Sequence, residues 1–139
     1  MTRIGAAVLA ATLAVPSLAP AAALPRAAVE AKFAAVNRHD VDAIVAAYAT
    51  DAQVTAADFC KPRQGRAEVE RTYRAIFAAV PDVQVELTDV VADGPRVAVR
   101  FVLHSKAFTV PIMNFFTVEN GLITRDDGLF NNGGRPCTP

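Results

Sequence analysis

Apolar residues recur at helical spacing through the first half of this chain and at a period of two through the second. Val29, Phe33 and Val36 fall on one face of a helix, with alanines filling the same side, and predict a helix over Pro25–Arg38. Pro25 suits a first turn. Asp40 is placed to cap a second helix, Val41–Ala49, which buries Val41, Ile44, Val45 and Tyr48, and Asp42 favours its positive end. Gln53–Phe59 reads as a short strand, and Lys61–Gly65 as a loop punctuated by Pro62 and Gly65. Arg66–Val80 predicts a third helix. Its Val69, Tyr73, Ile76, Phe77 and Val80 face inward, and Glu70 and Arg74 pair on the outside.

Beyond Pro81-Asp82 the period changes. Val83–Ala92 and Arg96–Lys106 read as strands around the turn Asp93-Gly94-Pro95. In the second of them Val97, Val99, Phe101 and Leu103 alternate against Arg96, Ala98, Arg100 and Val102, so one face is buried. A hairpin follows from Phe108 to Phe130, turning at Glu119-Asn120-Gly121. Its first strand is apolar on both faces, which requires cover on both. Phe108, Val110, Ile112, Phe116 and Val118 lie on one, and Pro111, Met113 and Phe115 on the other. The expectation is an α+β fold: three N-terminal helices packed on a strongly curved antiparallel sheet that forms a cone-shaped pocket. Such a cone either fills with side chains or holds a ligand. Asn131 to Pro136 reads as a loose tail.

The first residues change the picture of where this fold resides. Arg3 is followed by the uncharged, Ala-rich run Ile4–Val15, then Pro16 and the small residues Ala19, Ala21 and Ala23. That is the pattern of a secretory signal peptide over residues 1–23, and the run falls well short of the ~20 apolar residues that a membrane span needs. Its removal leaves one domain over 24–139, with 13 basic residues (14 less Arg3) against 14 acidic ones. A near-neutral chain has no electrostatic footprint for nucleic acid, and no later stretch predicts a membrane span. The expected location is secreted, periplasmic or extracellular. In an oxidising compartment Cys60 and Cys137, the only cysteines, read economically as a disulfide. Closing so long a loop is worth about 4 kcal/mol in the chain-entropy model. The alternative is two free thiols. No CxxC is present, His39 and His104 lie far from both cysteines, and neither a metal site nor a cofactor motif is expected.

Three phrases, in order and spacing, resemble the SnoaL-like, or nuclear transport factor 2-like, superfamily: NRHDVDAIVAAYATDA, QGRAEVERTYRAIFAAVPDVQVELTDVVADG and VENGLITRDDGLFN. The resemblance covers about Val29 to Asn131. It implies a cone-shaped α+β fold and leaves function open, because the superfamily holds isomerases, hydrolases, cyclases and non-catalytic binding domains. NRHDVDAIVAAYATDAQV and VPIMNFF are similar to the ketosteroid-isomerase branch. Matching by that resemblance puts Lys32 where that branch has an oxyanion-hole tyrosine, Ala56 where it has the aspartate base, and Met113 where it has a protonated aspartic acid. The catalytic set is therefore missing, while the two pocket tyrosines match as Tyr48 and Tyr73.

Candidate chemistry narrows to a few polar groups. Asp58, two residues past Ala56, shares its face if the strand runs straight and could act as a base, or it could be a solvated strand-end acid. Lys32, three residues after Val29 and adjoining Phe33, could bind an anionic or carbonyl group, pair with Asp58, or snorkel outward. Arg125 and Asp127 share a face and form either a pocket pair or a surface ladder; at most one of Asp126 and Asp127 enters the cone. His104 could do acid/base work or simply end a strand. The arginines around the third helix read as a solvated face. The expected pocket comprises Phe33, Tyr48, Ala56, Tyr73, Phe101, Met113 and Phe115, with Ile112, Phe116 and Val118 turned toward a partner sheet. Three functions fit. The first is a binding domain for a small, mostly apolar molecule, a homodimer through its sheet and without ketosteroid-isomerase chemistry. The second is an isomerase-, hydrolase- or cyclase-type enzyme on Asp58, Lys32 and Asp127. The third is an interaction module using the outer sheet face.

Overall fold

The computed structural model describes residues 23–138, so the expected signal peptide lies outside the described residues except for Ala23. Helix α1 spans Ala23–Asn37, α2 Val41–Ala46 and α3 Arg66–Ala79. Six strands make one sheet: β1 Tyr48–Ala56, β2 Arg63–Gln64, β3 Gln84–Asp93, β4 Arg96–His104, β5 Thr109–Glu119 and β6 Leu122–Leu129. Their order is β2-β1-β6-β5-β4-β3. All neighbours are antiparallel except β1 and β6, which run parallel and make the sheet mixed. This is the α+β architecture expected, with the helices on one face.

Local chemistry sets the boundaries. The Asp40 carboxylate accepts a hydrogen bond from the Ala43 N–H at 3.0 Å and starts α2, as its position predicts. That helix is shorter than expected, because the chain is already a strand at Tyr48. Arg66 Nε donates to the Tyr48 carbonyl at 2.7 Å, and Ile123 N donates to that of Ala47 at 2.9 Å, so β1 is fastened from its first residue. Lys61–Gly65 is not all loop, since Arg63 and Gln64 pair with Val54 and Gln53. Gly65, at a φ of 89° that L side chains rarely adopt, leads into α3.

The sheet wraps around α1, which packs against β3, β4, β5 and β6 in turn. Register shifts help it bend: one in β1 between Tyr48 and Gln53, one in β3 between Leu87 and Asp89, and one between β5 and β6 at Thr117/Val118. The core fills the concave side. Phe33 stands 4.8 Å from Phe101 and 5.9 Å from Phe116 between ring centroids, ringed by Val29, Ile44, Val97, Val99, Val118 and Ile123. Fully burying side chains of this size is worth roughly 1.5–3 kcal/mol each.

Two assignments on β5 are reversed. Ile112, Phe116 and Val118 turn into the core, whereas Met113 is 41% and Phe115 45% exposed on the outer face. Met113 and Phe115 are therefore not pocket residues. A strand apolar on both faces does not declare which one is inside, and a one-residue shift exchanges them. The inner face is marked by what it lines up with. Ala92, Val97, Phe116, Asp126 and Val54 form one cross-strand row, and Val90, Val99, Asn114, Gly128 and Ala56 the next.

Cys60 and Cys137 are joined, with Cα atoms 4.9 Å apart. The bond holds the tail beside the turn after β1, where Phe59 bridges to Thr138 and Cys60 N donates to the Thr138 carbonyl at 2.9 Å. Among the described residues no helix is long and apolar enough to cross a membrane.

Candidate functional site: a buried lysine–aspartate centre

The polar centre of the cone is Asp126, only 4% exposed. It reaches the inner face through an irregularity in β6. Ile123 and Asp126 are both buried although three residues apart, which strict alternation forbids. Both carboxylate oxygens are occupied. The Tyr48 hydroxyl donates to Oδ2 at 2.6 Å, and Asn114 Nδ2 donates to Oδ1 at 2.6 Å.

Lys32 completes the group. It lies on the buried face of α1, 3% exposed, with Nζ 3.9 Å from Asp126 Oδ2. The ammonium sits among aromatic faces, 4.1 Å from the Phe33 ring centroid, 5.2 Å from that of Phe116 and 5.5 Å from that of Tyr73. Ring faces attract a cation, so they replace part of the lost hydration. Burial works to lower the Lys32 pKa; Tyr73 and Asp126 outweigh it, and the pKa lies above the ordinary 10.5. Burial, then Asp126 and Tyr73, push the Tyr48 hydroxyl well above its ordinary 10.0. At neutral pH the centre holds a charged lysine and a neutral tyrosine whose hydroxyl donates to Asp126.

The other candidate acids lie elsewhere. Asp127 belongs to the outer row with Phe115 and Thr55, accepting from Thr55 Oγ1 and Arg125 Nε, each at 2.6 Å. Partial burial pushes its pKa up, but these hydrogen bonds outweigh it and hold it below the usual carboxylate value. The strand ends at Ala56, so alternation does not extend to Asp58. That residue lies in the following turn, its carbonyl accepting from Thr138 N at 2.6 Å. Lys32 and Asp126 are thus brought together, while Asp58 and Asp127 occupy a turn and the outer face. His104 sits 3.2 Å from Glu86, both largely exposed.

Of the expected pocket residues, Phe33, Tyr48 and Phe101 are buried and Tyr73 half-buried. Ala56 is on the inner row opposite Gly128. Sequence reasoning missed Asn114, and of Asp126 and Asp127, at most one of which could enter the cone, it put Asp127 in the site where the structure brings in Asp126. Asn114 had a signal: it is the one amide in the apolar run from Val110 to Phe116. The inward position in the VPIMNFF phrase is therefore Asn114, next to Met113. The choice between the two acids had no signal, since nothing in Thr124-Arg125-Asp126-Asp127 announces the break in alternation.

Two open depressions, of about 300 and 420 Å³, lie on the outer face of the sheet. One is beside Val91, Arg100 and Met113, the other beside Gln53, Thr117 and Arg125.

No match in sequence is found among curated proteins. Solved structures share the fold. A Kribbella flavida protein named a "putative ketosteroid isomerase" is 23% identical, with a TM-score of 0.71 over 85% of each chain. A Catenulispora acidiphila protein with a ketosteroid isomerase-like fold, solved in complex with trimethylamine, is 22% identical. It has a TM-score of 0.67 over 74% of this chain and 84% of its own. An LEH-like epoxide hydrolase from M. tuberculosis is 24% identical, with a TM-score of 0.66 over 80% and 85%. The fold they share is one that often binds small molecules or acts as an isomerase, cyclase or hydrolase. The SnoaL-like domain model matches residues 29–126, so with its helices, wrapped sheet and buried polar centre this chain belongs to the SnoaL-like domain family.

Proposed function

We propose that this chain is an exported binding domain for a small, mostly apolar molecule, held in the cone with its polar end at the Lys32–Asp126 centre. The observation that carries the reading is that centre itself. A charged pair, a tyrosine and an amide converge on the concave face among Phe33, Phe101 and Phe116. Convergent polar groups in an apolar interior are the usual make-up of a small-molecule site. Because the core fills the concave side, this reading requires the half-buried Tyr73 and Phe77 of α3 to move aside when the ligand enters. The chemistry is binding rather than steroid isomerisation. Ala56 offers no base, Lys32 cannot act as a tyrosine, and Asp126 already accepts two hydrogen bonds. The competing enzymatic reading on Asp58, Lys32 and Asp127 would need those groups to converge. Export of a mature domain over 24–139 is supported by the leader-like residues 1–23 and by the disulfide, which suits an oxidising compartment.

A second reading concerns assembly. Val91, Met113, Phe115 and Leu129 are exposed on the outer sheet face, and association through that face into a homodimer would cover them. Native mass spectrometry of the chain expressed with its leader and recovered from outside the cytoplasm tests these readings together. The expected spectrum shows loss of residues 1–23 or a nearby cut, a mass two hydrogens below the dithiol, a dimer, and a retained small molecule. A full-length, ligand-free monomer that takes up no apolar probe would contradict them.

A further inference from the structure

The tail after β6 is strapped across the turn after β1. The two strands run parallel, with Ala56 opposite Gly128, so tail and turn leave the sheet at the same end. Three ties hold them there. Asn132 Nδ2 donates to the Ala57 carbonyl at 3.2 Å, Cys137 is bonded to Cys60, and Thr138 N donates to the Asp58 carbonyl at 2.6 Å. The strap continues into α3 through Arg63. That guanidinium lies 3.7 Å from the Phe59 ring centroid. One of its nitrogens donates to Thr138 Oγ1 at 3.1 Å and another to Thr72 Oγ1 at 3.0 Å. Arg66 already fixes the first residue of α3, so the tie at Thr72 acts on the middle of the helix. Thr72 adjoins Tyr73, whose ring centroid is 5.5 Å from the Lys32 ammonium.

From this arrangement we propose that the Cys60–Cys137 bond is a redox-sensitive strap on α3. Closed, it holds the helical turn at Thr72 and Tyr73 in place; opened by a dithiol, it lets that turn move. Both cysteines are exposed, so an external thiolate reaches sulfur, and exposed disulfides are the labile ones. The thiolate attacks one sulfur and breaks the S–S bond. The second thiol of the dithiol then closes on the mixed disulfide. Cys60 and Cys137 gain two electrons and two protons, and the dithiol leaves as its own disulfide. The opened tail is fastened only through β6, and ordering it again costs conformational entropy. Arg63 then keeps Thr72 and loses Thr138. The consequence for ligand entry rests on the cone-binding reading, in which Tyr73 moves aside; the motion of α3 does not.

NMR relaxation dispersion of the mature chain, oxidised and then reduced with dithiothreitol, reads that motion without any ligand. Reduction is expected to raise the exchange broadening at Thr72, Tyr73 and Phe77 and to leave residues 29–36 of α1 unchanged. Stopped-flow mixing with 2-naphthol should then show association roughly tenfold faster in the reduced chain, the factor that losing one good hydrogen bond supplies. Thr138→Val keeps the disulfide and removes an acceptor of Arg63, and it should quicken association about threefold. Unchanged dispersion in α3 on reduction overturns the strap, as does naphthol binding to Thr138→Val at the wild-type rate. A reduced chain that loses its native spectrum makes the bond a brace for the whole fold and also overturns the strap. No naphthol bound in either state, with the dispersion raised as expected, overturns the cone reading and leaves the strap standing.

Discussion

Lys32 and Asp126 are placed by opposite kinds of information. Lys32 lies three residues after Val29 and beside Phe33, so its burial follows from helical spacing. Asp126 is buried because β6 breaks its alternation, and Asp127, equally plausible in sequence, is sent to Arg125 on the outside. Removing one member of a buried charge pair costs about 3–5 kcal/mol because the other is stranded. Asp126→Ala is expected to lose that much in urea unfolding, leaving Lys32, Tyr48 and Asn114 short of an acceptor. The pair also sets a pH dependence. The folded-state pKa values of Tyr48 and Lys32 lie above 10.0 and 10.5, the ordinary values that govern the unfolded chain. The fold therefore keeps protons that the unfolded chain releases. Their stabilisation is full below about pH 10 and falls as pH rises through those values. Urea midpoints taken upward from neutral pH should decline on the alkaline side, and Tyr48→Phe should make the decline shallower.

At the scale of elements, the helices were legible because α1 and α3 show one apolar stripe each, and β4 because its valines alternate. The faces of β5 were not. Its Met113 and Phe115 are as apolar as Ile112 and Phe116, and only pairing with β4 and β6 decides between them. The start of β1 was hidden for another reason: Tyr48 continues the apolar spacing of α2, and the tertiary bonds from Arg66 and Ile123 override that local pattern. The faces of β5 can be read by substitution. Phe116→Ala should cost about 3–5 kcal/mol, as core aromatic truncations do. Phe115→Ser on the outer face should change the stability of the monomer by about 0.5 kcal/mol or less. Equal effects in denaturant unfolding at low protein concentration would contradict the assigned faces.

For the whole molecule, the order of three phrases was enough to place the chain in its family and fold, because order and spacing follow the helices and strands that build the cone. The site was less legible. Its acid depends on a strand irregularity, and its amide sits on a strand whose inner face only the pairing with β4 and β6 decides. The disulfide was anticipated as a pairing, while its consequence, a tail bridged to Phe59, needed the fold. The central claim is that the concave side, not the outer face, takes a small apolar molecule. The most direct test is the electron density of crystals of the mature chain soaked with 2-naphthol. The predicted result is ring density on the concave side, beside the Lys32–Asp126 centre. Naphthol bound only in the outer depressions beside Met113 or Arg125, over a cone still filled by Phe33, Phe101 and Phe116, would contradict it.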